Sequence, residues 1–372
     1  MRWVKFKGYS RKQVDRAGSM LIKKQSSEEE RTQALEVMDN WREIHKYPLH
    51  IFKKRLKKSS EEIDKNALTV QRLKRLYSIV RKLKRYSENK SAMKLSRMQD
   101  IAGCRTVLSN VELARKLYEE KYIKGKLKHE RVKKDLQKQD YITYPKEDGY
   151  RSLHLVYKYK SNKEGKKDYN GLLVEIQIRS KLQHLWATAI EVVDFFTGQG
   201  LKFNKGEKEW KEFFRLVSSA FAIIEGTPLV PNTPLNKKEL YLAIKEKEKE
   251  LNLIKTMQGW TEILRVFGID NYSKDYKFFL MEIDVNQERL TVTAFKEDEE
   301  DKAIETLERL EKKNSDRKEY DVVLVGADTV EDLRKAYPNY FADTKEFLDK
   351  VRTIITKTWR TKKNNFRTKR IY

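Results

Sequence analysis

The sequence has one cysteine, five histidines and six prolines in 372 residues. A lone thiol, Cys104, excludes an intrachain disulfide, and so small a stock of Cys and His leaves little from which to build a zinc site. No run approaches the ~20 apolar residues that a membrane span needs, and the basic start from Met1 to Lys24 has no apolar signal core. The expectation is a cytoplasmic protein without a membrane partner. Acidic residues are also comparatively scarce: 81 Lys and Arg stand against 56 Asp and Glu, a net charge of +25. That balance predicts attraction to a polyanion, nucleic acid before membrane.

The charge is unevenly spread. Residues 1–272 hold 59 basic against 35 acidic side chains, residues 273–350 hold 14 against 21, and residues 351–372 hold 8 against none. Lys-rich helices that solvate their outer faces would explain any single run, but not the change of sign. The length exceeds what one hydrophobic core usually organises. Two domains are therefore expected: a basic body over residues 1–272, and an acidic module with a basic tail over residues 273–372.

Hydrophobic spacing predicts the elements. Ser27 and Glu30 form a capping box before Leu35, Met38, Trp41 and Ile44, so a helix runs to about Tyr47-Pro48. Helices also fit Leu68 to Tyr86 and Val111 to Tyr122. Period-two alternation marks strands at Gly103–Leu108, Ser152–Tyr159 and Leu172–Arg179. A long helix follows Ser180, Pro228, Pro231 and Pro234 interrupt the chain, and another helix fits Lys237 to Thr256. From about Ser273 come strands Phe278–Val285 and Leu290–Phe295, a helix with Ile304, Leu307 and Leu310 on one face, a strand Val322–Val325, and helices around Asp332 and Glu346. The fold class is α/β, a mixed sheet flanked by helices, plus a small C-terminal α+β module.

Three segments carry chemistry. In Leu172-Leu-Val-Glu-Ile-Gln-Ile-Arg179 the pleat turns Val174, Ile176 and Ile178 one way and Glu175, Gln177 and Arg179 the other. An exposed sheet face in a structural protein would alternate in the same way. Upstream, Asp100-Ile-Ala-Gly-Cys-Arg105 sets a carboxylate and an arginine around a glycine at a strand start. Between them, Pro145-Lys-Glu-Asp-Gly-Tyr-Arg-Ser-Leu-His154 is a turn feeding a strand, with Tyr150, Ser152 and His154 on one face. In this order and spacing the three resemble the RelA/SpoT synthetase family, whose pattern runs D-I-x-G-x-R, then P-K-x-x-G-Y-x-S-L-H, then E-I-Q-I-R.

The resemblance implies a nucleotidyltransferase-like sheet, ATP as pyrophosphate donor and Mg²⁺ held by Asp100 and Glu175, the catalytic pair. It also implies Glu175 as general base for the attacking hydroxyl. The stretch Arg72 to Leu83 resembles the family's ATP-binding helix, with Lys74, Ser78 and Lys82 spaced by four along one face. Arg72, Lys74, Lys82 and Arg105 would pair with phosphates, and Arg75 and Arg115 would sandwich adenine. Tyr150 matches the acceptor-stacking position, and Lys146, His154, Gln177 and Arg179 would orient the acceptor. The alternative for His154 is an ordinary sheet histidine. The family's hydrolase domain relies on a His-Asp pair, and none of the five histidines here precedes an aspartate.

Asn40 to Leu49 and Gln183 to Thr188 resemble the toxic small alarmone synthetases, and the fused acidic module resembles the CapRel toxin–antitoxin type of phage defence. The resemblance implies that the acceptor is the 3′ end of tRNA, that the C-terminal module restrains the enzyme, and that a phage protein, there the major capsid protein, releases it. Tyr337 and Tyr340, in Ala336-Tyr-Pro-Asn-Tyr-Phe341, are the candidate autoinhibitory rings, Tyr340 by preference stacking on Arg75 and Arg115 in place of adenine. The alternatives are synthesis of an alarmone such as (p)ppGpp or (p)ppApp, and a non-enzymatic RNA-binding protein.

Overall fold

Two capping boxes organise the start of the chain. Ser10 and Gln13 exchange side-chain and backbone hydrogen bonds to open α1 (Arg11–Ile22), and Ser27 and Glu30 do the same for α2 (Glu28–Ile44). In this computed structural model the described residues are 7–23, 25–74, 76–88, 93–132, 137–197, 207–266, 276–284, 287, 289–314, 320–326 and 340–365. They form two compact units: Met1–Tyr144 with Arg151–Lys181, and Pro145–Tyr150 with Leu182–Tyr372.

In the first unit, α2 ends at Ile44 and α3 (Lys46–Ile63) begins at once. Pro48 does not stop the chain's helical course, because in a first turn its missing N–H would have had no intrahelical acceptor. The expected helix from Leu68 to Tyr86 is corrected: Leu68–Leu73 is a strand, β1, and α4 (Leu76–Glu88) follows it. The reason is tertiary. β1 pairs antiparallel with β2 (Ala102–Leu108), from Leu68 opposite Val107 to Leu73 opposite Ala102. These ladder bonds outweigh a helical spacing of apolar residues.

With β3 (Glu130–Arg131), β4 (Leu153–Lys158) and β5 (Leu173–Ser180), the sheet runs β1-β2-β5-β4-β3, with β2 and β5 parallel and the other pairs antiparallel. This mixed sheet flanked by helices is the expected architecture, and three of its strands lie where alternation predicts them. Cys104, Leu155, Val174, Ile176 and Ile178 form its buried layer with Phe52 and Leu56 of α3 and with Ala114 and Leu117 of α5 (Val111–Leu117). Each such large apolar side chain contributes roughly 1.5–3 kcal/mol on full burial. The alternate residues of the same strands are left for the other face.

The second unit contains nearly all of α6 (Lys181–Thr197), then α7 (Glu207–Glu225), α8 (Lys237–Leu251) and α9 (Leu253–Val266). The expected single helix from Lys237 to Thr256 is two, because Asn252 adopts the left-handed conformation at φ 49° and caps α8. Strands β6 (Tyr276–Asp284), β7 (Arg289–Lys296) and β8 (Tyr320–Gly326) form a sheet in the order β7-β6-β8, with α10 (Glu300–Lys313) between β7 and β8 in sequence and α11 (Tyr340–Asn365) last. The α+β character expected after Ser273 is therefore present.

Alternation along β6 gives this sheet two apolar faces. Leu280 packs with Phe295, Val322 and Ala303 of α10. Phe279 joins the main cluster of the unit, with Trp210, Phe214, Trp260, Phe347 and Val351. The expected helix near Asp332 and the expected boundary at residue 272 both lie outside the described residues.

Candidate active site

The polar face of the five-stranded sheet follows from its register. Arg72 lies opposite Gly103, Gly103 beside Glu175, Arg105 beside Gln177, and His154 opposite Gln177. Pleating puts all of these on one face. Glu175 is held from two sides: His154 Nδ1 donates to Oε1 at 3.0 Å and Gln177 Nε2 donates to Oε2 at 2.8 Å. Arg179 Nη2 in turn donates to Gln177 Oε1 at 3.0 Å. Burial pushes the Glu175 carboxyl up, but the His154 and Gln177 contacts and the Arg72 charge outweigh it and hold its pKa at about 2. Glu175 is an anion throughout the physiological range.

Asp100, two residues before β2, is the second anion. Lys74 Nζ reaches its Oδ2 at 3.0 Å and Lys82 Nζ its Oδ1 at 2.8 Å. Burial alone would raise the Asp100 pKa, and the two ammonium groups lower it below the ordinary value. Burial lowers that of Lys74, outweighing the attraction of Asp100, with Arg72 and Lys82 adding repulsion. Arg72 acts on both Lys74 and Glu175. The strand correction matters here: Arg72 lies in β1 and Lys74 in the connection to α4, so Lys74, Ser78 and Lys82 do not share one helical face. Lys74 and Lys82 meet instead at Asp100.

Arg105 is buried in β2. Arg115, on α5, pairs with Asp140 at 3.1 Å and donates to Thr143 Oγ1 at 2.7 Å. Arg75 lies outside the described residues, as does Tyr337, while Ser78 and Tyr340 fall within α4 and at the start of α11 with their side chains undescribed.

The turn Pro145–Tyr150 belongs to the second unit. Lys146 Nζ sits 5.1 Å from the centre of the Tyr150 ring, which meets Trp186 of α6 edge-on at 6.5 Å. Gly149 makes this turn possible. Its φ is +94°, a Cβ there would lie 2.9 Å from the Trp186 ring, and its carbonyl accepts from Ser218 Oγ at 2.6 Å.

Sequence reasoning missed three contributors. Asp140 accepts from the backbone N–H groups of Ile142 and Thr143 while holding Arg115. Tyr141 sets its ring edge-on to His154 at 5.1 Å. Gly103, quoted within a motif but given no role, leaves open space over the sheet beside Glu175, since a Cβ there meets nothing within 4 Å. The Asp140-to-Thr143 spacing is a legible turn signal. The other two depend on the register of strands distant in sequence.

Asp100 and Glu175 are the residues that could hold a divalent cation. Among the described residues no three His, Cys, Asp or Glu side chains gather as a metal cluster. Two ionised carboxylates nevertheless fit Mg²⁺, which commonly takes one or two from the protein and completes its shell with phosphate and water oxygens.

Two ionised acids thus stand out, Asp100 beside Lys74 and Lys82, and Glu175 beside Arg72, His154 and Gln177. Residues 71–193 match the family model for the region found in RelA / SpoT proteins. Among solved structures, small alarmone synthetase 1 of Bacillus subtilis bound to its product pppGpp is 25% identical over 49% of this chain and 89% of that one, with a TM-score of 0.40. Small alarmone synthetase 2 of Bacillus subtilis is 23% identical over 50% and 94%, also at 0.40. A GTP pyrophosphokinase family protein of Streptococcus pneumoniae is 21% identical over 48% and 85%, at 0.36. No curated protein sequence matches the chain. No helix among the described residues is long and apolar enough to cross a membrane.

Proposed function

We propose that this chain transfers pyrophosphate from ATP to a ribose hydroxyl, and that the hydroxyl is the one at the 3′ end of tRNA. The acceptor oxygen attacks the β-phosphorus, the bond from that phosphorus to the oxygen bridging the α-phosphate breaks, AMP leaves with the bonding electrons, and the acceptor proton is released. One observation carries the reading: Asp100 is clasped by Lys74 and Lys82 while Glu175 is oriented by His154 and Gln177, all within the stretch that matches the RelA / SpoT family model.

Arg72, Lys74, Lys82 and Arg105 would pair with phosphate oxygens, work that consists of positioning and charge neutralisation. Mg²⁺, held through Asp100 and Glu175, would neutralise charge on the triphosphate and polarise the β-phosphorus. A pKa of about 2 makes Glu175 a better metal ligand than proton acceptor. Arg115 is the candidate adenine partner on α5, and Tyr150 with Lys146 offers the acceptor base a ring and a cation.

The tRNA acceptor is favoured by charge. Residues 1–272 carry a net +24, and each phosphate neutralised adds salt-dependent affinity. A terminal base stacked on a ring is a common mode for single-stranded RNA ends. The resemblance to the CapRel type supports restraint by the C-terminal region and release by a phage protein, the major capsid protein being the first to test. Incubation with γ-labelled ATP and either tRNA or GDP, run on the wild-type chain and on Tyr340→Ala, decides the acceptor: label on tRNA is expected, label on GDP makes the chain an alarmone synthetase, and label on neither with both chains makes it a non-enzymatic binder. Asp100→Asn should remove at least ~100-fold of the transfer.

A further inference from the structure

We infer that the N-terminal helices, outside the RelA/SpoT stretch, brace the phosphate and metal pocket, with Arg42 and Asp15 as positioning residues; the function of the brace rests on the reading above. Arg42, in the last turn of α2, donates through Nε to the carbonyl of Lys74 at 2.8 Å. The N–H of Lys74 donates to the carbonyl of Ile101 at 2.7 Å. The peptide groups on both sides of Lys74 are thereby fixed just where β1 has ended, and its ammonium reaches Asp100. Arg42 is itself oriented by Glu43 at 2.7 Å and Asp39 at 3.5 Å.

The other half of the pair is held from α1. Asp15 Oδ1 accepts from the N–H of Ser96 at 2.8 Å, in the turn Leu95–Arg97 that leads to Asp100. Gly18 lets α1 sit closely on that turn, since a Cβ there would lie 2.8 Å from the Leu95 Cβ. One helix therefore grips the backbone that carries Lys74, and the other grips the backbone that leads to Asp100. Both bonds end on main-chain atoms of the segments that bear the charged groups, so their loss lets those groups drift. A misplacement of about 1 Å can cost on the order of 100-fold in a positioned reaction.

The test uses the full-length chain and compares Arg42→Ala, Arg42→Lys, Asp15→Ala and Asp15→Asn with Ser27→Ala. Ser27→Ala removes the cap at the far end of α2, which weakens the helix without touching Lys74. Affinity for ATP with Mg²⁺ is measured by calorimetry, and amide exchange is followed over residues 73–76 and 95–101. The Ala variants at 42 and 15 should weaken binding about 10-fold and speed exchange in these segments. Asp15→Asn, which keeps an acceptor oxygen, should stay near wild type, and Arg42→Lys should fall between. Ser27→Ala should lower the melting temperature yet bind like wild type. Wild-type affinity in Arg42→Ala, or equal loss in Ser27→Ala, overturns the brace. If neither the wild-type chain nor Tyr340→Ala binds ATP, the functional reading falls, while exchange that responds to Arg42→Ala and not to Ser27→Ala still upholds the brace as a structural device; exchange that responds to neither overturns it.

Discussion

Gly103 has Arg72 on one neighbouring strand and Glu175 on the other, and among the described residues nothing lies within 4 Å of where its Cβ would stand. Packing does not require glycine there, and in a strand interior alanine is favoured by roughly 0.5–1 kcal/mol. Gly103→Ala should therefore leave the melting temperature unchanged or slightly raised while lowering pyrophosphate transfer, because the methyl group enters the volume left for substrate. Equal activity in the variant would show that the gap is not used. The motifs made Asp100, Glu175 and His154 visible as a set. They did not show that Lys74 and Lys82 share Asp100, a contact made by the connection after β1 and by α4.

Helices α2 and α3 meet at His45, which is 1% exposed and whose Nδ1 bonds to the Trp41 carbonyl at 2.6 Å. Burial lowers its pKa to about 4 from the ordinary 6.5, against the opposing effect of that carbonyl and with help from the Arg11 charge. A histidine whose folded pKa is depressed binds its proton in the unfolded chain first, so stability is complete above pH 6.5 and declines as pH falls toward 4. The loss is about 3 kcal/mol over that window. Denaturant titrations at pH 7 and pH 4.5 should show this slope, and His45→Gln should flatten it. The junction was not legible in the sequence, since a proline two residues into α3 reads as a helix stop. The segment Leu68–Leu73 was misread for a related reason: its partner β2 is brought alongside only by the fold.

At the scale of the molecule, the C-terminal residues share a core with the helices before them. Phe347 stacks on Phe214 at 5.7 Å and meets Phe221 edge-on at 5.9 Å, while Trp210 stacks on Trp260 at 5.5 Å. Phe347→Ala should destabilise the second unit by about 3–5 kcal/mol, seen as an earlier unfolding transition. Deleting residues 273–372 would strip Phe279, Phe347, Leu348 and Val351 from the same cluster. Deletion would thus confuse loss of restraint with loss of fold. Point substitution is the cleaner test: under the proposed autoinhibition, Tyr340→Ala in the full-length chain should increase growth inhibition, and unchanged growth removes Tyr340 from that role.

The sequence by itself determined the α/β class, the polar face of β5 and the order of the three motifs, because strand alternation and short motifs are local and survive without knowledge of partners. The fold alone decided that Arg72 belongs to a strand, that Lys74 and Lys82 converge on Asp100, that α1 and α2 reach the same segments, and that the C-terminal strands complete a core begun a hundred residues earlier. Those outcomes depend on pairing and burial between residues distant in the chain, where the energy of contact exceeds local preference.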